Sequence, residues 1–569
     1  MKKKILAAIC ALTLILSMTA LTSCELFLPP VEEHEHAFGE WEFTVIPTCK
    51  HGGSRSRYCE CGEKETEAVA AEHFYDSSNV CRTCGFKAGD YFKFEWVYGG
   101  GYAVSANNIT DNEVEEIPAE ITIPSVYNGS PVTEIASEGF KDCKNLEKVK
   151  IPSSITVIRD NAFRGCVKLT DINIGQNITY IGYGAFENCQ SLVNIDLPDS
   201  ITYIGQAAFS SCTSLASINI PKGITVLDRC LYVNCDSLTE VVIPDNITTI
   251  GESAFSGCDN LASVTIPDSV TNIGSDAFGG TKLYESLKPE EGVIYFGKYL
   301  LKADETVAKD YTVKEGTTAI AGGAFKGLPI TNLTLPDSLV GIGLSAFSEC
   351  ENLVSVDFGE GVRYIYANAF KGTSIEKIYL PDSIEYIGSE AFNGQAYSSS
   401  YTQDIRLPDK VIEIHYSSFY NKSGQYDESG AFYVGKHLIH ARIKSNLEFV
   451  VKEGTITIAN EAFRTAAGSQ VTNVVLPDSL QYIGDYTFSD CKLLESINIP
   501  KNVTYIGKYA FSGCKSLTSL IFEDPEGWTV SETESMADGI AIPAESLSDS
   551  AEAIKCIRIT YSAYYWTKK

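Results

Sequence analysis

The chain has 569 residues, more than one compact domain usually holds, so several domains or a repeat array are expected. Its 45 basic and 73 acidic residues give a formal net charge of -28, which argues against a nucleic-acid partner because phosphates need a positive surface. The same charge argues against electrostatic attachment to anionic lipid, and a hydrophobic content of 44% is that of a folded protein.

The first residues have the pattern of a secretory signal peptide. Three lysines precede an almost continuously apolar stretch, and the sequence LTSC at 21–24 closes it with small residues and a cysteine. This ending resembles the bacterial lipobox, which implies cleavage before Cys24 and diacylation of its thiol. We therefore expect a signal peptide over 1–23, a linker over 24–33 and a lipid-anchored protein outside the cytoplasm. The alternative is an ordinary signal peptide in which Cys24 is incidental.

A small module rich in cysteine and histidine is expected over 34–88. Cys81-x-x-Cys84 followed by glycine is typical of a zinc knuckle, because the glycine lets backbone amides turn toward the thiolates. The candidate ligands of one structural zinc are Cys59, Cys61, Cys81 and Cys84, with His36, Cys49 and His73 as alternative ligands. The module is therefore interpreted as zinc-ribbon-like.

Disulfides are the alternative for these cysteines, because the mature chain is expected outside the cytoplasm. The spacing Cys59-x-Cys61 is one residue short of the usual knuckle, which weakens an all-cysteine site. However, five cysteines lie in this segment, so bridges alone would leave one over. A catalytic zinc is disfavoured because the sequence has no His-Glu-x-x-His arrangement.

The rest of the chain repeats with a period of 23 residues. An aromatic residue marks each period, and the strict steps are Phe140, Phe163, Phe186, Phe209, Tyr232, Phe255 and Phe278. The period continues less strictly through Phe325, Phe347, Phe370, Phe392, Phe419, Phe463, Phe488 and Phe511. Fifteen aromatic positions predict roughly fifteen turns of a solenoid.

The first half of one repeat predicts a short strand. Leu192, Ile195 and Leu197 alternate with polar residues, which is the period-two pattern of a strand with one buried face. Pro198 ends this strand because proline cannot donate to a ladder. A single repeat cannot bury these side chains alone, whereas stacked repeats can.

The second half of the same repeat completes the predicted unit. Ile201 and Ile204 predict a second short strand with inward side chains, and Ala208-Phe209-x-x-Cys212 predicts a helical turn whose phenylalanine fills the core. The predicted fold class is thus a repeat β-solenoid with two short strands and a helical turn in each repeat of about 23 residues.

Two blocks interrupt the period at matching spacing, near 283–320 and 425–458. Each contains the pattern Tyr-x-Gly-Lys and, further on, Val-Lys-Glu-Gly-Thr, and the distance from the first glycine to the next core phenylalanine is 28 in both. We interpret these blocks as expanded turns with an extra pair of strands. They divide the array into segments without ending it.

The repeat motif resembles the BspA-like leucine-rich repeats of bacterial surface proteins. The resemblance covers 120–523, and the tail, with Asp524-Pro525-x-Gly527-Trp528, is similar to the ending of such proteins. It implies a leucine-rich-repeat type of solenoid and a role in adhesion or host-protein binding. We expect 89–119 and 524–569 to cap the two ends, because a solenoid must cover its terminal apolar faces.

The sequence offers little for catalysis, so we expect no enzyme. No histidine occurs from 74 to 414, and His415, His437 and His440 are isolated and expected on surface turns. The recurring Pro-Asp-Ser triplets are explained by turn chemistry. One cysteine per turn, as at Cys189 and Cys212, favours buried packing, because parallel Cβ directions fit a disulfide torsion badly.

The side chains before the second-strand isoleucine form a column of tyrosines, and its members are Tyr180, Tyr203, Tyr364, Tyr386, Tyr482 and Tyr505. Tyrosine gives a large contact area with a polar tip, which suits recognition of an extracellular protein or glycan. The alternative is an aromatic ladder that only stabilises the sheet. The preferred function is therefore surface adhesion. A structural spacer on the cell envelope is the alternative, and a metal-dependent enzyme acting through 36–84 ranks last.

Overall fold

The computed structural model describes most of the chain, namely residues 42–45, 53–58, 64–69, 91–97, 100–107, 117–394, 404–419, 426–442, 448–464, 470–531 and 539–568. The chain divides into two units, Met1–His73 and Phe74–Lys569. The predicted lipidation site Cys24 and all predicted zinc ligands lie outside the described residues.

The first unit contains a three-stranded antiparallel sheet of Glu42–Val45, Gly53–Tyr58 and Lys64–Val69. Ser56 is buried in this sheet, and its hydroxyl lies 2.8 Å from the hydroxyl of Thr66 on the neighbouring strand. In the sequence, Cys59 and Cys61 fall in the short connection between the second and third strands.

The second unit is a β-solenoid, which confirms the predicted fold class. Most coils contribute a first strand to one parallel ladder, which is divided into several short sheets, and a second strand to another. The ladder that we call the first-strand face consists of Glu120–Thr122, Lys148–Lys150, Asp171–Asn173, Glu240–Val242, Ser263–Thr265, Asp310–Thr312, Asn332–Thr334, Ser355–Asp357, Lys377–Tyr379, Asp404–Arg406, Glu448–Val450, Asn473–Val475, Ser496–Ile499 and Ser519–Phe522.

The opposite ladder, which we call the second-strand face, is built from strands of two residues. In most of them the first residue is at least partly exposed and the second residue, usually isoleucine, is buried, whereas Ala319, Gly341 and Thr457 are buried first residues. The strands are Val157–Ile158, Tyr180–Ile181, Tyr203–Ile204, Val226–Leu227, Thr249–Ile250, Asn272–Ile273, Ala319–Ile320, Gly341–Ile342, Tyr364–Ile365, Tyr386–Ile387, Glu413–Ile414, Thr457–Ile458, Tyr482–Ile483 and Tyr505–Ile506.

The predicted helical turn of each repeat is wrong, because this segment consists of consecutive hydrogen-bonded turns. In one coil the amides of Asn161, Phe163 and Gly165 donate to carbonyls of the following coil over 2.7 to 2.8 Å. Asn161 and Gly165 have positive φ angles of 55° and 73°, which turn their amides away from a helical path. These contacts form a third set of backbone hydrogen bonds between coils. In a helix, the same backbone groups would have bonded to one another within the segment.

The aromatic landmarks form a continuous column inside each half of the solenoid. From Phe140 to Phe278, neighbouring ring centroids lie 5.3 to 5.8 Å apart with interplanar angles of 2° to 16°. The column resumes at Phe325 and reaches Phe511, with stacked or tilted neighbours except across the second hairpin. Nearly parallel rings at this spacing fill the core without voids.

Both ladders are interrupted in the coils around Asn219. The repeat containing Leu192, Ile195 and Leu197 buries these side chains as predicted, but it forms no paired first strand. Instead, the side-chain oxygen of Asn219 accepts from the Leu197 amide over 2.9 Å, and its NH2 donates to the Leu197 carbonyl over 2.6 Å. A side-chain amide offers the same donor and acceptor as a peptide group, so Asn219 takes the place of a backbone partner.

Two antiparallel hairpins lie within the interrupting blocks. They are Val293–Phe296 with Tyr299–Ala303, and Ala431–Val434 with His437–Ala441. The first hairpin separates two hydrophobic cores, since Tyr299 and Leu301 pack into the preceding core while Leu300 packs into the following one. Successive side chains of a strand point to opposite faces, so this strand contributes to both cores, and Ala319 and Ala321 of the next coil complete the first one. We call 133–278 the first array and 319–522 the second array.

Additional elements cover the two ends of the solenoid. The N-terminal group comprises Phe92–Trp96, Tyr102–Ala106, Val126–Tyr127 and Ser130–Ile135. The C-terminal group comprises strands Trp528–Ser531, Ile540–Ala541 and Tyr565–Lys568, helices Ala544–Ser548 and Ser550–Lys555, and the π-helix Cys556–Thr560. A short helix, Lys282–Ser286, precedes the first hairpin. Within the described part of the chain, no helix has the length and apolar character needed to cross a bilayer.

Candidate binding surface

The second-strand face curves around a hollow of about 980 Å³, which we call the groove. Its lining comes from the outward positions of several coils and from the C-terminal strand, namely Thr248, Asp268, Ser269, Thr271, Val340, Arg363, Tyr364, Tyr366, Glu385, Tyr386, Ile412, Glu413, Tyr482, Thr504, Tyr505, Thr567 and Lys568. Ligand sites commonly measure about 300 to 1,000 Å³, so the groove is large enough for a ligand made of several linked residues.

The groove brings together four of the six tyrosines predicted as a binding surface, Tyr364, Tyr386, Tyr482 and Tyr505. Tyr180 and Tyr203 do not line it. Their rings stack on each other with centroids 4.9 Å apart and an interplanar angle of 17°. This parallel pair is the arrangement of a cross-strand aromatic ladder, whereas the tyrosines of the groove face a shared space.

The ion pair between Arg363 and Glu385 places charged groups in the lining of the groove. The Arg363 guanidinium donates from Nε and Nη2 to the Glu385 carboxylate over 2.7 to 2.9 Å, and it lies 5.2 Å from the centre of the Tyr364 ring. Tyr364 donates its hydroxyl to the same carboxylate over 3.1 Å. Burial and the neighbouring carboxylate raise the pKa of Tyr364 to about 12, so the phenol remains a hydrogen-bond donor.

Sequence reasoning missed Arg363, Glu385 and Tyr366 as members of the site. Tyr366 follows Ile365 where most coils have glycine, and in neighbouring coils a Cβ at Gly343 or Gly388 would meet backbone at 2.6 Å. This departure from the repeat was the available signal. Tyr366 belongs to the column beside the outward tyrosines, so the spacing of that one column does not indicate it.

Further lysines and carboxylates lie at the rim of the groove. Asp268 pairs with Lys298 of the first hairpin, and Lys568 of the C-terminal strand pairs with Asp524. These contacts lower the pKa of both carboxyl groups, because the charged form gains a hydrogen bond and an opposite charge. The charges at the rim are therefore largely compensated within the protein.

The expectation that the later histidines lie on surface turns is wrong for two of them. His437 and His440 are buried in the second hairpin, with 0% and 7% of their surface exposed. His437 Nε2 lies 3.1 Å from the Pro408 carbonyl, and His440 Nδ1 lies 2.8 Å from the Tyr426 hydroxyl. Burial lowers the pKa of both imidazoles, to about 4 for His440. Both histidines lie on the second strand of the extra strand pair predicted over 425–458, and the sequence pattern did not indicate that this strand is buried along its whole length.

His415 takes part in a serine, histidine and glutamate cluster. Its Nδ1 lies 2.9 Å from the Ser417 hydroxyl and its Nε2 lies 3.6 Å from Glu461. The same Ser417 oxygen also accepts from the Glu390 amide over 3.3 Å and contacts the Ser389 hydroxyl at 3.1 Å. A hydroxyl enclosed by these partners connects two coils, which is a structural role for the cluster.

The buried cysteines have a regular partner. Each thiol donates to the carbonyl of the aromatic residue one coil earlier, over 3.0 to 3.2 Å, at Cys166, Cys189, Cys212, Cys235, Cys258, Cys350 and Cys514. Burial raises the pKa of Cys212 to about 12, so this thiol stays protonated. No cluster of three or more metal-ligating His, Cys, Asp or Glu side chains occurs among the described residues.

The turn serines also have a repeated role. Ser200, Ser269 and Ser338 of the Pro-Asp-Ser triplets donate their hydroxyls to carbonyls of the preceding coil over 2.7 to 2.9 Å. These contacts occupy the hydroxyls in joining coils. They agree with the interpretation of the triplets as turn chemistry.

Comparison with solved structures finds leucine-rich-repeat proteins of bacteria. A leucine-rich repeat protein of T. pallidum is 28% identical over 35% of this chain and 89% of its own, with a TM-score of 0.32. A leucine-rich repeat protein from Bacteroides ovatus is 20% identical over 76% of this chain and 98% of its own, with a TM-score of 0.31. A leucine rich cell surface protein from Faecalibacterium prausnitzii is 20% identical over 83% and 98%, with a TM-score of 0.27.

The family comparison covers most of the solenoid. The BspA type leucine rich repeat region matches in 6 copies, over residues 133–238, 225–326, 318–426 and 430–537. No protein of curated function matches the sequence. The matched segments span well over half of the chain and confirm the resemblance inferred from the repeat motif. The protein therefore belongs to the BspA-type leucine-rich-repeat family.

Proposed function

We propose that this protein is a surface-anchored adhesion protein that binds an extracellular partner in the groove. The observation that supports this proposal is the convergence of Tyr364, Tyr386, Tyr482 and Tyr505 on one hollow. Half-exposed tyrosines give a large, rigid contact area at a low cost in side-chain entropy. Membership of a family of repeat proteins associated with bacterial surfaces agrees with a binding role.

A matched pair of double variants tests this proposal. Tyr364→Ser with Tyr386→Ser alters the groove, whereas Tyr180→Ser with Tyr203→Ser alters the stacked ladder outside it. Beads coated with each purified protein are applied to epithelial cells and to surfaces of extracellular-matrix protein. We expect the groove variant to lose about tenfold or more in attachment, and the ladder variant to attach as the unchanged protein does.

The alternative function predicts a different result. A structural spacer on the cell envelope needs the length of the solenoid and no ligand. Attachment that is absent in every protein, or equal in both double variants, would contradict binding in the groove and favour the spacer. Circular dichroism and melting temperature of each variant establish that the fold is retained.

The proposed anchor is the diacylated Cys24. In a bacterial host, Cys24→Ser should shift the protein from the detergent phase to the aqueous phase of a Triton X-114 partition, because both acyl chains would be lost. Membrane retention by the serine variant would argue for an anchor elsewhere. The variant is compared with a Cys143→Ser variant, which leaves the proposed anchor intact.

The second proposal, for the cysteine- and histidine-rich module over 34–88, is one structural zinc held by Cys59, Cys61, Cys81 and Cys84, with His36, Cys49 and His73 as alternative ligands. Metal analysis of the mature protein should find about one zinc per chain, with these thiols protected from alkylation until a chelator is added. If no metal is found and these thiols are already oxidised, the cysteine- and histidine-rich module is held by disulfides instead.

A further inference from the structure

The tyrosines of the groove are arranged differently from those of the stacked ladder. Tyr366 and Tyr386 have ring centroids 5.7 Å apart and an interplanar angle of 47°, and Tyr482 and Tyr505 are 6.5 Å apart at 54°, whereas Tyr364 and Tyr366 are closer to parallel, 6.4 Å apart at 30°. Because some of these rings are tilted, the ring faces point into the groove in more than one direction. An aromatic face carries negative charge density and attracts C–H groups that bear a slight positive charge.

Beside these rings lies a fixed set of hydrogen-bonding groups. Glu385 contacts the Nε and Nη2 of Arg363, while the guanidinium has further donors on Nη1. The guanidinium is also held against the Tyr364 ring, which keeps its plane constant. A planar donor group next to a carboxylate acceptor matches neighbouring hydroxyls, each of which donates one hydrogen bond and accepts another.

Threonine hydroxyls of other coils add acceptors to the lining of the groove. Thr248 donates to the Thr225 carbonyl over 3.3 Å and Thr504 donates to the Gln481 carbonyl over 3.5 Å. Their hydrogens are used within the solenoid, so their oxygens are oriented to accept from a ligand. Thr567 belongs to the same lining, where its hydroxyl lies 3.2 Å from that of Thr529.

The charge balance of the groove selects among ligands. Arg363 is paired with Glu385, Asp268 with Lys298, and Lys568 with Asp524, and Glu413 is the remaining charged side chain of the lining. A ligand of high charge therefore finds no large opposite field here, and the net charge of -28 opposes an anionic one. These properties favour a neutral ligand with many hydroxyls and some apolar C–H surface.

We propose that the groove binds a neutral oligosaccharide. The C–H face of a sugar ring packs on a tyrosine while its hydroxyl rim meets Arg363, Glu385 and the threonines. A volume of about 980 Å³ accommodates several linked sugar rings. This inference rests on the proposed function, because it names the ligand of the same groove.

The test uses the full mature protein and defined sugars. Neutral hexasaccharides of β-1,4-glucose, β-1,4-N-acetylglucosamine, β-1,4-galactose and α-1,6-mannose are titrated calorimetrically, with sulfated and sialylated oligosaccharides for comparison. We expect at least one neutral hexasaccharide to bind and the acidic sugars to bind at least about tenfold more weakly. Preference for an acidic sugar would overturn the inference.

Variants show whether the ring faces carry the binding. Tyr386→Ala should weaken binding of the preferred hexasaccharide about tenfold, and Tyr386→Phe should restore most of it because the ring remains. Arg363→Lys should weaken it about fivefold, since an ammonium lacks the planar fork. Tyr203→Ala, in the stacked ladder, should bind normally. Equal effects of Tyr386→Ala and Tyr203→Ala would overturn the assignment to the groove.

Two further measurements identify the source of the sugar and show whether the proposed function stands if the sugar inference fails. Binding to a mucin that is lost after enzymatic removal of its glycans identifies a glycoprotein source, and binding to soluble β-glucan or mannan identifies a polysaccharide. Cell attachment that depends on groove residues but survives complete glycan removal would overturn the sugar inference and leave the adhesion function standing. Attachment independent of the groove would overturn both.

Discussion

The first and second arrays are built from the same repeat but differ in regularity. In the first array, aromatic landmarks from Phe140 to Phe278 keep a strict step of 23 residues, and their rings deviate from parallel by at most 16°. In the second array the step varies, and the angle reaches 35° between Phe463 and Phe488. Most side chains that line the groove belong to the second array.

This difference indicates how a repeat protein acquires a site. Identical coils place identical side chains at each step, which favours stacking, as between Tyr180 and Tyr203. A distinct site requires side chains that the repeat does not supply at every step. Arg363 and Tyr366 are such residues, and they stand in the less regular array.

The largest expected effect concerns the two cores. Phe186→Ala and Phe370→Ala each remove a fully buried ring between two stacked neighbours, and we expect each to cost about 3 to 5 kcal/mol because a cavity remains. Since the first hairpin separates the cores, each variant should lose hydrogen-exchange protection mainly in its own array.

Hydrogen exchange followed by mass spectrometry resolves the two arrays in one experiment. The surface variant Val193→Ala controls for handling, since its side chain is exposed. If either phenylalanine variant loosened both arrays equally, the two cores would behave as one cooperative unit, and the division at the hairpin would have no energetic meaning.

The second prediction concerns acid. The pKa of His440 is about 4 in the folded protein, against an ordinary value of about 6.5. The unfolded chain therefore binds a proton in this window that the folded hairpin does not accept, so stability rises with pH through the window and falls on acidification. We expect a loss of up to about 3 kcal/mol around the second hairpin between pH 7 and pH 4.

The first array has no histidine, because none occurs from 74 to 414, so its exchange should change less over the same interval. His440→Gln removes one of the two buried imidazoles whose pKa is lowered and should reduce the pH dependence of exchange in His437–Ala441. An unchanged slope in this variant would assign the acid sensitivity to other groups.

The smallest effect concerns the irregular coils within the first array. Asn219→Ala removes the side-chain amide that bonds to both backbone groups of Leu197, and we expect a cost of about 1 to 2 kcal/mol. The matched variant Asn194→Ala, at an exposed position one coil earlier, should change stability by less than about 0.5 kcal/mol. Denaturant unfolding measures both, and equal midpoints would contradict the bridging role.

The fold was largely predictable because the spacing of apolar residues within each repeat indicates which side chains are buried. The spacing of Ile195, Ile204 and Phe209 identifies inward side chains, and all three are buried. The helical turn was mispredicted because Ala-Phe-x-x-Cys suits a helix by spacing, whereas bonds between coils compete with bonds inside one. The helix propensity of one repeat does not show the hydrogen bonds that its backbone can form with the neighbouring coil.

The site was predictable only in part. A column of tyrosines follows from the period, but the curvature that gathers Tyr364 and Tyr505 and excludes Tyr203 does not. Curvature accumulates from small rotations between coils. Likewise, the pairing of Arg363 with Glu385 depends on contact between adjacent coils, which residue spacing alone did not single out.

The hairpin Val293–Phe296 with Tyr299–Ala303 has a consequence for the length of such proteins. The first core ends on this hairpin together with Ala319 and Ala321 of the next coil, so whole coils gained or lost by gene duplication away from this junction would leave the packing on its other side unchanged. Related chains are therefore free to vary the length of the first array at its N-terminal end while preserving the groove, whose first-array members are Thr248, Asp268, Ser269 and Thr271.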